Sequence, residues 1–381
     1  MALPIFQDSG LKPIYDKVAA GVRLDREDGL ALFHSADLLG VGALAQIVRE
    51  RLHGHKAFYI YNQHLNYSNI CINGCKFCAF GRKAGDPGAY EMSLEEIFAK
   101  IAARAHEPIT EVHIVGGCHP DLPFSYYLEM LRGIKKLRPG VHLQAFTAVE
   151  VAHLAGKAGL SVADTLQALQ EAGLGSLPGG GAEVFSPRIR QHLCPEKLSP
   201  EGWLGVAQTA HRLGLNTNAT MLYGHVETLE ERVDHLVRLR EAQDETQGFL
   251  AFIPLAFHPQ NTGLSELTGP SAIDDLKTLA VSRLLLDNIP HIKAFWVMLG
   301  PKMAQISLCF GVDDVDGTVM EERITHMAGA QTPQGLTRKQ LRALIREAGC
   351  EPVERDTLYK IVASGQLSVA SDQGLGVSIK G

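Results

Sequence analysis

The chain has 381 residues, 45% of them hydrophobic, and a net charge of −6 with histidine neutral. That length suits one large α/β barrel or a few ordinary domains, with a substantial core. The acidic balance carries no electrostatic footprint for nucleic acid or an anionic membrane, and no apolar run reaches the roughly 18 residues of a membrane helix.

The run MALPIFQDSGLKPIYDKV has no basic start followed by an apolar core, so no signal peptide is expected. Seven cysteines, an odd number, argue for reduced thiols in the cytoplasm over a disulfide framework.

Residues 1–55 read as a helical N-terminal cap, with apolar residues at three- and four-residue steps. From residue 56 onward, strand-like and helix-like segments alternate. KAFYIYN (56–62) reads as a strand that runs into a cysteine loop. A helix is expected over 93–107, with Ser93 as N-cap and Glu96 completing a capping box, and a strand over 110–117. A helix over 123–139 and a strand entering a loop over 141–150 follow. Then come a helix over 161–173, ended by Gly173, and a short strand with a glycine turn over 174–185. Helix and strand alternate again over 199–214 and 215–224, 228–246 and 248–259, and 271–288 and 292–299. Residues 301–311 are expected to supply an eighth strand, and the stretch 325–349 to end in a helix.

Such alternation implies right-handed crossovers and a parallel sheet. The expected fold class is α/β, a (β/α) barrel of the TIM type over 56–311. A C-terminal helical extension follows over 312–360 and a tail of unassigned role over 361–381. Glycine- and histidine-rich stretches fall just after the strands, where a barrel builds its active site. A doubly wound open sheet is the alternative.

The run CINGCKFCAF holds Cys71, Cys75 and Cys78 at Cys-x3-Cys-x2-Cys, with no fourth cysteine close behind. A 4Fe–4S cube normally takes four thiolates, so three leave one iron open to a small molecule. Zinc would need four closed ligands, and Cys118, Cys194, Cys309 and Cys350 form no second pair, although His64 offers a nitrogen. A dithiol redox motif would use Cys75 and Cys78 alone and leave Cys71 unexplained.

With Phe77 placed before the third cysteine, and the loop following a strand, the run resembles the cluster loop of the radical S-adenosylmethionine (SAM) superfamily. The resemblance implies a 4Fe–4S cluster whose open iron is chelated by the methionyl amine and carboxylate of SAM. Reductive cleavage would then give methionine and a 5′-deoxyadenosyl radical. It also implies that Phe77 covers the cluster and a bound adenine, and that the backbone of Val115, Gly116 and Gly117 meets the methionine amine. Glycine permits that close approach, though an ordinary tight turn would use it too. Glu183, in GGGAEVF, is a candidate for the ribose or the methionine ammonium; a solvated loop carboxylate is the plain alternative.

The runs GGCHPDLPFSYYLEMLRGIK, HLQAFTAVE, PGGGAEVFSPRIR, TNATMLYGHVET and FHPQNT, together with the cysteine loop, resemble the aminofutalosine synthases from about residue 50 to about 360. Dehypoxanthine futalosine cyclase and FO synthase share parts of the pattern and are the alternatives. The resemblance implies a place in menaquinone biosynthesis. The adenosyl radical adds to the vinyl carbon of 3-(1-carboxyvinyloxy)benzoate, the aryl group migrates and bicarbonate is lost. SAM is consumed as a substrate, and a reductant such as flavodoxin or ferredoxin is implied. A protein that only transfers electrons or senses through such a cluster is the non-enzymatic alternative.

A substrate with two carboxylates and a ring calls for cationic or neutral donors around an apolar slot. Candidates near predicted strand ends are Asn62, His64, His119, Thr147, His225, His258, Asn261 and Thr262, with Arg82 and Arg188 for a carboxylate. Each has a plainer reading as a hydrogen-bonded structural residue. Arg190 is an equal alternative to Arg188. Cys118 reads as a small buried residue, because a fourth thiolate would block the open iron. Asp313, Asp314 and Asp316 loosely suggest a calcium loop, but EF-hand spacing fails.

Overall fold

The strand expected over 56–62 divides at Tyr61 into two strands that serve different sheets. The computed structural model describes residues 6–362. Three helices, α1 (Leu11–Ala20), α2 (Arg26–His34) and α3 (Leu38–His53), precede β1 (Lys56–Ile60) and β2 (Asn62–Leu65). They lie on the barrel flank, where Arg23 is ion-paired to Asp244 and Asp287.

After the cysteine loop come α4 (Leu94–Ala103), β3 (Glu111–Ile114), α5 (Phe124–Leu137) and β4 (His142–Ala145). Next are α6 (Ala148–Ala158), α7 (Val162–Ala172), β5 (Ser176–Leu177), α8 (Pro187–Leu193) and α9 (Pro200–Arg212). Then come β6 (Asn216–Tyr223), α10 (Leu229–Thr246), β7 (Phe249–Ala256), α11 (Ala272–Leu285) and β8 (His291–Ile292). The chain continues through α12 (Trp296–Leu299), α13 (Pro301–Ser307), β9 (Asp314–Gly317), α14 (Ile324–Met327), α15 (Arg338–Glu347) and β10 (Glu351–Arg355).

β2 to β8 form one parallel sheet in chain order, curled into a barrel, and the open alternative falls away. Its two edges meet through the segment of β9, which bridges to Lys293 on one side and, through Met320, to Gln63 on the other. β9 also pairs with β1, which pairs with β10. The eighth strand expected over 301–311 is therefore misplaced. Pro301 opens α13 there, a residue suited to the first turn of a helix and not to a central strand. The strand expected over 292–299 ends at Ile292, and α12 follows.

β9 was hidden because its residues are acidic. Asp314 pairs with Arg355 at 2.5 Å and Asp316 with Lys293 at 3.4 Å, while Asp313, just before the strand, pairs with Arg283 and His291, so each buried carboxylate faces a cation of a neighbouring element and the three do not form a calcium loop. Residues 312–360, expected as a helical extension, hold β9 and β10 as well as α14 and α15. Of the tail expected over 361–381, only Ile361 and Val362 are described. Among the described residues no helix is long and apolar enough to cross a membrane.

α6 and α8, neither expected from the sequence, stand at the barrel mouth. α6 starts at Thr147, whose hydroxyl takes the Glu150 amide while the Glu150 carboxylate returns to the Thr147 amide. That capping box overrides the strand expected to continue to residue 150. α8 opens on Ser186 as N-cap with Pro187 beside it.

Candidate active site at the barrel mouth

The cysteine loop leaves β2 and crosses the C-terminal end of the barrel. Its backbone is held by three neighbouring loops. The Ile72 amide donates to the Cys118 carbonyl (3.0 Å) beyond β3, and the Lys76 amide to the Leu193 carbonyl (2.9 Å) at the end of α8. The Gly263 amide, beyond β7, donates to the Lys76 carbonyl (2.7 Å). The Glu196 carboxylate accepts from the Gly74 amide (2.7 Å).

So held, Cys71, Cys75 and Cys78 line one wall of a cavity of about 280 Å³. The Gly81 amide donates to the Cys78 sulfur at 3.2 Å. Phe77, Gly116, Gly117, Thr147, Glu183 and His258, all expected from sequence, line the same cavity. The glycines are there for closeness: a Cβ on Gly116 would stand 2.5 Å from the Tyr67 ring, and one on Gly117 would overlap the Ile70 carbonyl.

Two charged residues on the wall went unread in the sequence. Lys197 is ion-paired to Glu183 at 2.5 Å and stands 5.3 Å from the centroid of the Phe77 ring. Burial opposes its charge, but the Glu183 carboxylate and the Cys75 and Cys194 sulfurs together outweigh burial and hold Lys197 above the ordinary lysine range. Glu150 is 3% exposed, and burial pushes its carboxyl up to about 7 against the hydrogen bonds it accepts. The signal for Glu150 was present as a Thr-x-x-Glu capping box in FTAVE; Lys197 had none, since its partner is 14 positions away.

The lining also has an apolar set, Leu222, Leu255, Phe257 and Met298. Ile324 and Thr325 of α14 close it. The strap carrying α14 is pinned by Asn261, which donates to the Met327 carbonyl (3.0 Å), and by Thr332, which donates to the Val297 carbonyl (2.9 Å). His258 meets the Met298 carbonyl at 2.9 Å through Nε2.

The remaining sequence candidates lie off this wall. Asn62 donates to Glu111 inside the barrel, and His64 stacks on His113 with centroids 4.5 Å apart. Arg82 donates to the Ala79 and Gly81 carbonyls and so closes the cysteine loop on itself. His119 accepts the Asp121 and Leu122 amides; Arg188 pairs with Glu231 at the surface; His225 accepts the Val226 amide. Thr262 donates to the Pro259 carbonyl.

Residues 65–239 match the "Radical SAM superfamily" model and residues 246–366 the "CofH/MqnC C-terminal region". The chain is 51% identical to an aminodeoxyfutalosine synthase of Thermus thermophilus, over 93% of this chain and 97% of that protein.

The chain belongs to the radical SAM superfamily, in the branch of the aminodeoxyfutalosine synthases.

A second such synthase, from Streptomyces coelicolor, is 47% identical over 93% of this radical SAM enzyme and 95% of its own length. A Methanopyrus kandleri protein named 5-amino-6-(D-ribitylamino)uracil–L-tyrosine 4-hydroxyphenyl transferase is 41% identical over 87% of this chain and 91% of its own. In structure, methylornithine synthase superposes with a TM-score of 0.69 at 19% identity, covering 89% of this chain and 97% of its own, a likeness of fold.

Membership of the superfamily implies a 4Fe–4S cluster and SAM. The donor set of this radical SAM enzyme fits them: the three thiols of the cysteine loop line one cavity, with Cys118 beside them, all seven cysteines are free, and a glycine amide already points at one sulfur.

Proposed function

We propose that this enzyme is an aminofutalosine synthase. It joins the 5′-deoxyadenosyl group of SAM to 3-(1-carboxyvinyloxy)benzoate and releases bicarbonate, in menaquinone biosynthesis. The observation that carries the reading is the 51% identity to the Thermus synthase along nearly the whole of both chains. The cavity supports it, because its lining joins the Lys197 cation to an apolar set and the substrate is an arene bearing two carboxylates.

Cys71, Cys75 and Cys78 hold the cluster, and Phe77 covers it. When bound, the cluster supplies the electron that cleaves SAM. The Val115–Gly117 backbone meets the methionine amine, Lys197 meets its carboxylate, and Glu183 is freed for the ribose hydroxyls or the ammonium. Leu222, Leu255, Phe257 and Met298 take the aromatic ring. His258, its Nε2 already engaged by Met298, offers its other nitrogen to a substrate carboxylate. Ile324 and Thr325 keep bulk water out of the site, which strengthens the polar contacts inside it and limits side reactions. Residues 56–311 carry the chemistry, 6–55 cap the barrel flank, and within 312–360 the β9 segment closes the barrel and α14 covers its mouth. A reductant such as flavodoxin or ferredoxin supplies the electron, and the reducing cytoplasm keeps the thiols free.

The test is product analysis under anaerobic conditions with a chemical reductant. Aminofutalosine that retains the adenosine carbons is the expected result. Release of free 5′-deoxyadenosine from dehypoxanthine futalosine, with no coupling to the benzoate, would overturn the reading in favour of the cyclase.

A further inference from the structure

The capping-box carboxylates of α4 and α6 behave differently. Glu96 of α4 sits in an exposed capping contact with Ser93. Glu150 of α6 needs only Oε2 for its own cap, where the Thr147 amide and hydroxyl both donate at 2.8 Å. Its Oε1 reaches across to another loop. There it accepts from the Gly116 amide at 3.0 Å and from the Tyr67 hydroxyl at 2.9 Å. Tyr67 lies two residues after β2, on the chain that enters the cysteine loop, and its hydroxyl also stands 3.3 Å from the Gly117 carbonyl.

The Val115–Gly116 peptide is thereby fixed at both ends. Its N–H is held by Glu150, and its carbonyl accepts from the Asn66 side chain at 2.9 Å. The next peptide has its N–H on the Ser68 carbonyl (2.9 Å), and a trans peptide then turns the Gly116 carbonyl to the opposite side. Burying a carboxylate this deeply costs free energy unless every lone pair is used, and here four donors converge on it. A helix cap alone does not require that burial.

We infer that Glu150 is a positioning residue for SAM: its Oε1 clasps Gly116 and Tyr67 and so sets the glycine turn at a fixed distance from the cysteine loop. The inference rests on the reading above for where the methionine amine binds, and not on which substrate the adenosyl group joins. The glycine turn presents its carbonyl to the ammonium, and the loop presents the cluster to the same end of the ligand. Without the clasp the two halves of that site drift relative to each other.

The experiment is a SAM titration of the reduced, cluster-loaded protein, followed by electron paramagnetic resonance. Glu150→Gln puts an amide NH2 where donors converge, so one donor loses its acceptor while side-chain volume is kept. The variant is expected to hold the wild-type iron content and the wild-type signal without SAM. The SAM-induced change in that signal should need about tenfold more SAM. The KM for SAM should rise in parallel, with kcat at saturation nearly unchanged, a split that a general loss of folding would not produce. Tyr67→Phe removes a single donor and leaves the cap intact; it should shift the titration in the same direction by less. A wild-type titration curve for Glu150→Gln overturns the inference, and if that variant fails to fold, a wild-type curve for Tyr67→Phe overturns it. Failure of the functional reading shows separately, as absence of aminofutalosine from a wild-type enzyme that still titrates with SAM.

Discussion

The Ile70 carbonyl occupies the place where a Gly117 side chain would stand. One residue enters the cysteine loop and the other ends the turn after β3, and they touch because the loop folds down onto that turn. Gly117→Ala must therefore push the cysteine loop away. Overpacking of this kind costs about 1–3 kcal/mol. The expected outcome is a folded barrel with lowered thermal stability and clearly less iron after anaerobic reconstitution. A variant with full iron content would show that the close approach is incidental.

The thiols of Cys118 and Cys194 stand against Cys71 and Cys75 respectively, near enough to be mistaken for ligands. Only three thiolates leave an iron open for SAM. Cys118→Ala and Cys194→Ala should each keep about four irons per chain, whereas Ala at Cys71, Cys75 or Cys78 should abolish methionine release. Iron counting with absorbance spectra decides it. Loss of the cluster in Cys118→Ala alone would reassign the ligand set.

The cysteine loop was legible because its chemistry lies in the spacing of residues 71 to 78, close together in the chain. The wall around it was only partly legible. Gly116, Gly117 and Thr147 follow strands directly, so chain order places them at the mouth. Lys197 and Glu150 act on residues 14 and 34 positions away, and periodicity carries no trace of such pairings. His64 was read at a strand end, yet β2 runs on to Leu65, which draws His64 into the barrel interior beside His113. The eighth strand escaped for a related reason. Buried strands are usually apolar, whereas β9 buries aspartates whose cations come from Arg355 and Lys293.

The Lys197–Glu183 pair makes a prediction about stability as well as binding. Both side chains are about nine-tenths buried, and Glu183 also has a positive φ of 53°. Lys197→Met leaves the carboxylate buried without its cation, which costs about 3–5 kcal/mol. Adding Glu183→Gln removes the stranded charge. The double variant should regain most of the thermal stability lost in the single one while SAM binding stays weak. Calorimetry on both proteins checks the first half and a SAM titration the second. Equal stability of single and double variants would mean that the pair is solvated in the native protein.

The strap over the mouth carries a pH-sensitive contact. His326 meets the Glu322 carboxylate at 3.1 Å and, through its other nitrogen, the Thr332 carbonyl at 3.1 Å. The hydrogen bond to Glu322 pushes the imidazolium up to about 9, against a smaller effect of burial. Because the folded value lies above the ordinary one near 6.5, the contribution is fully present below that pH and is lost as pH rises through about 9. Glu322 also accepts the Thr325 amide, so the same carboxylate steadies the part of α14 that lines the cavity. Magnetic resonance of the His326 ring should titrate near 9, and Glu322→Gln should bring the midpoint back toward the ordinary value. Above that midpoint the KM for the aromatic substrate should rise as the strap loosens. A His326 midpoint already at the ordinary value in the wild-type protein would remove the strap from any account of pH dependence.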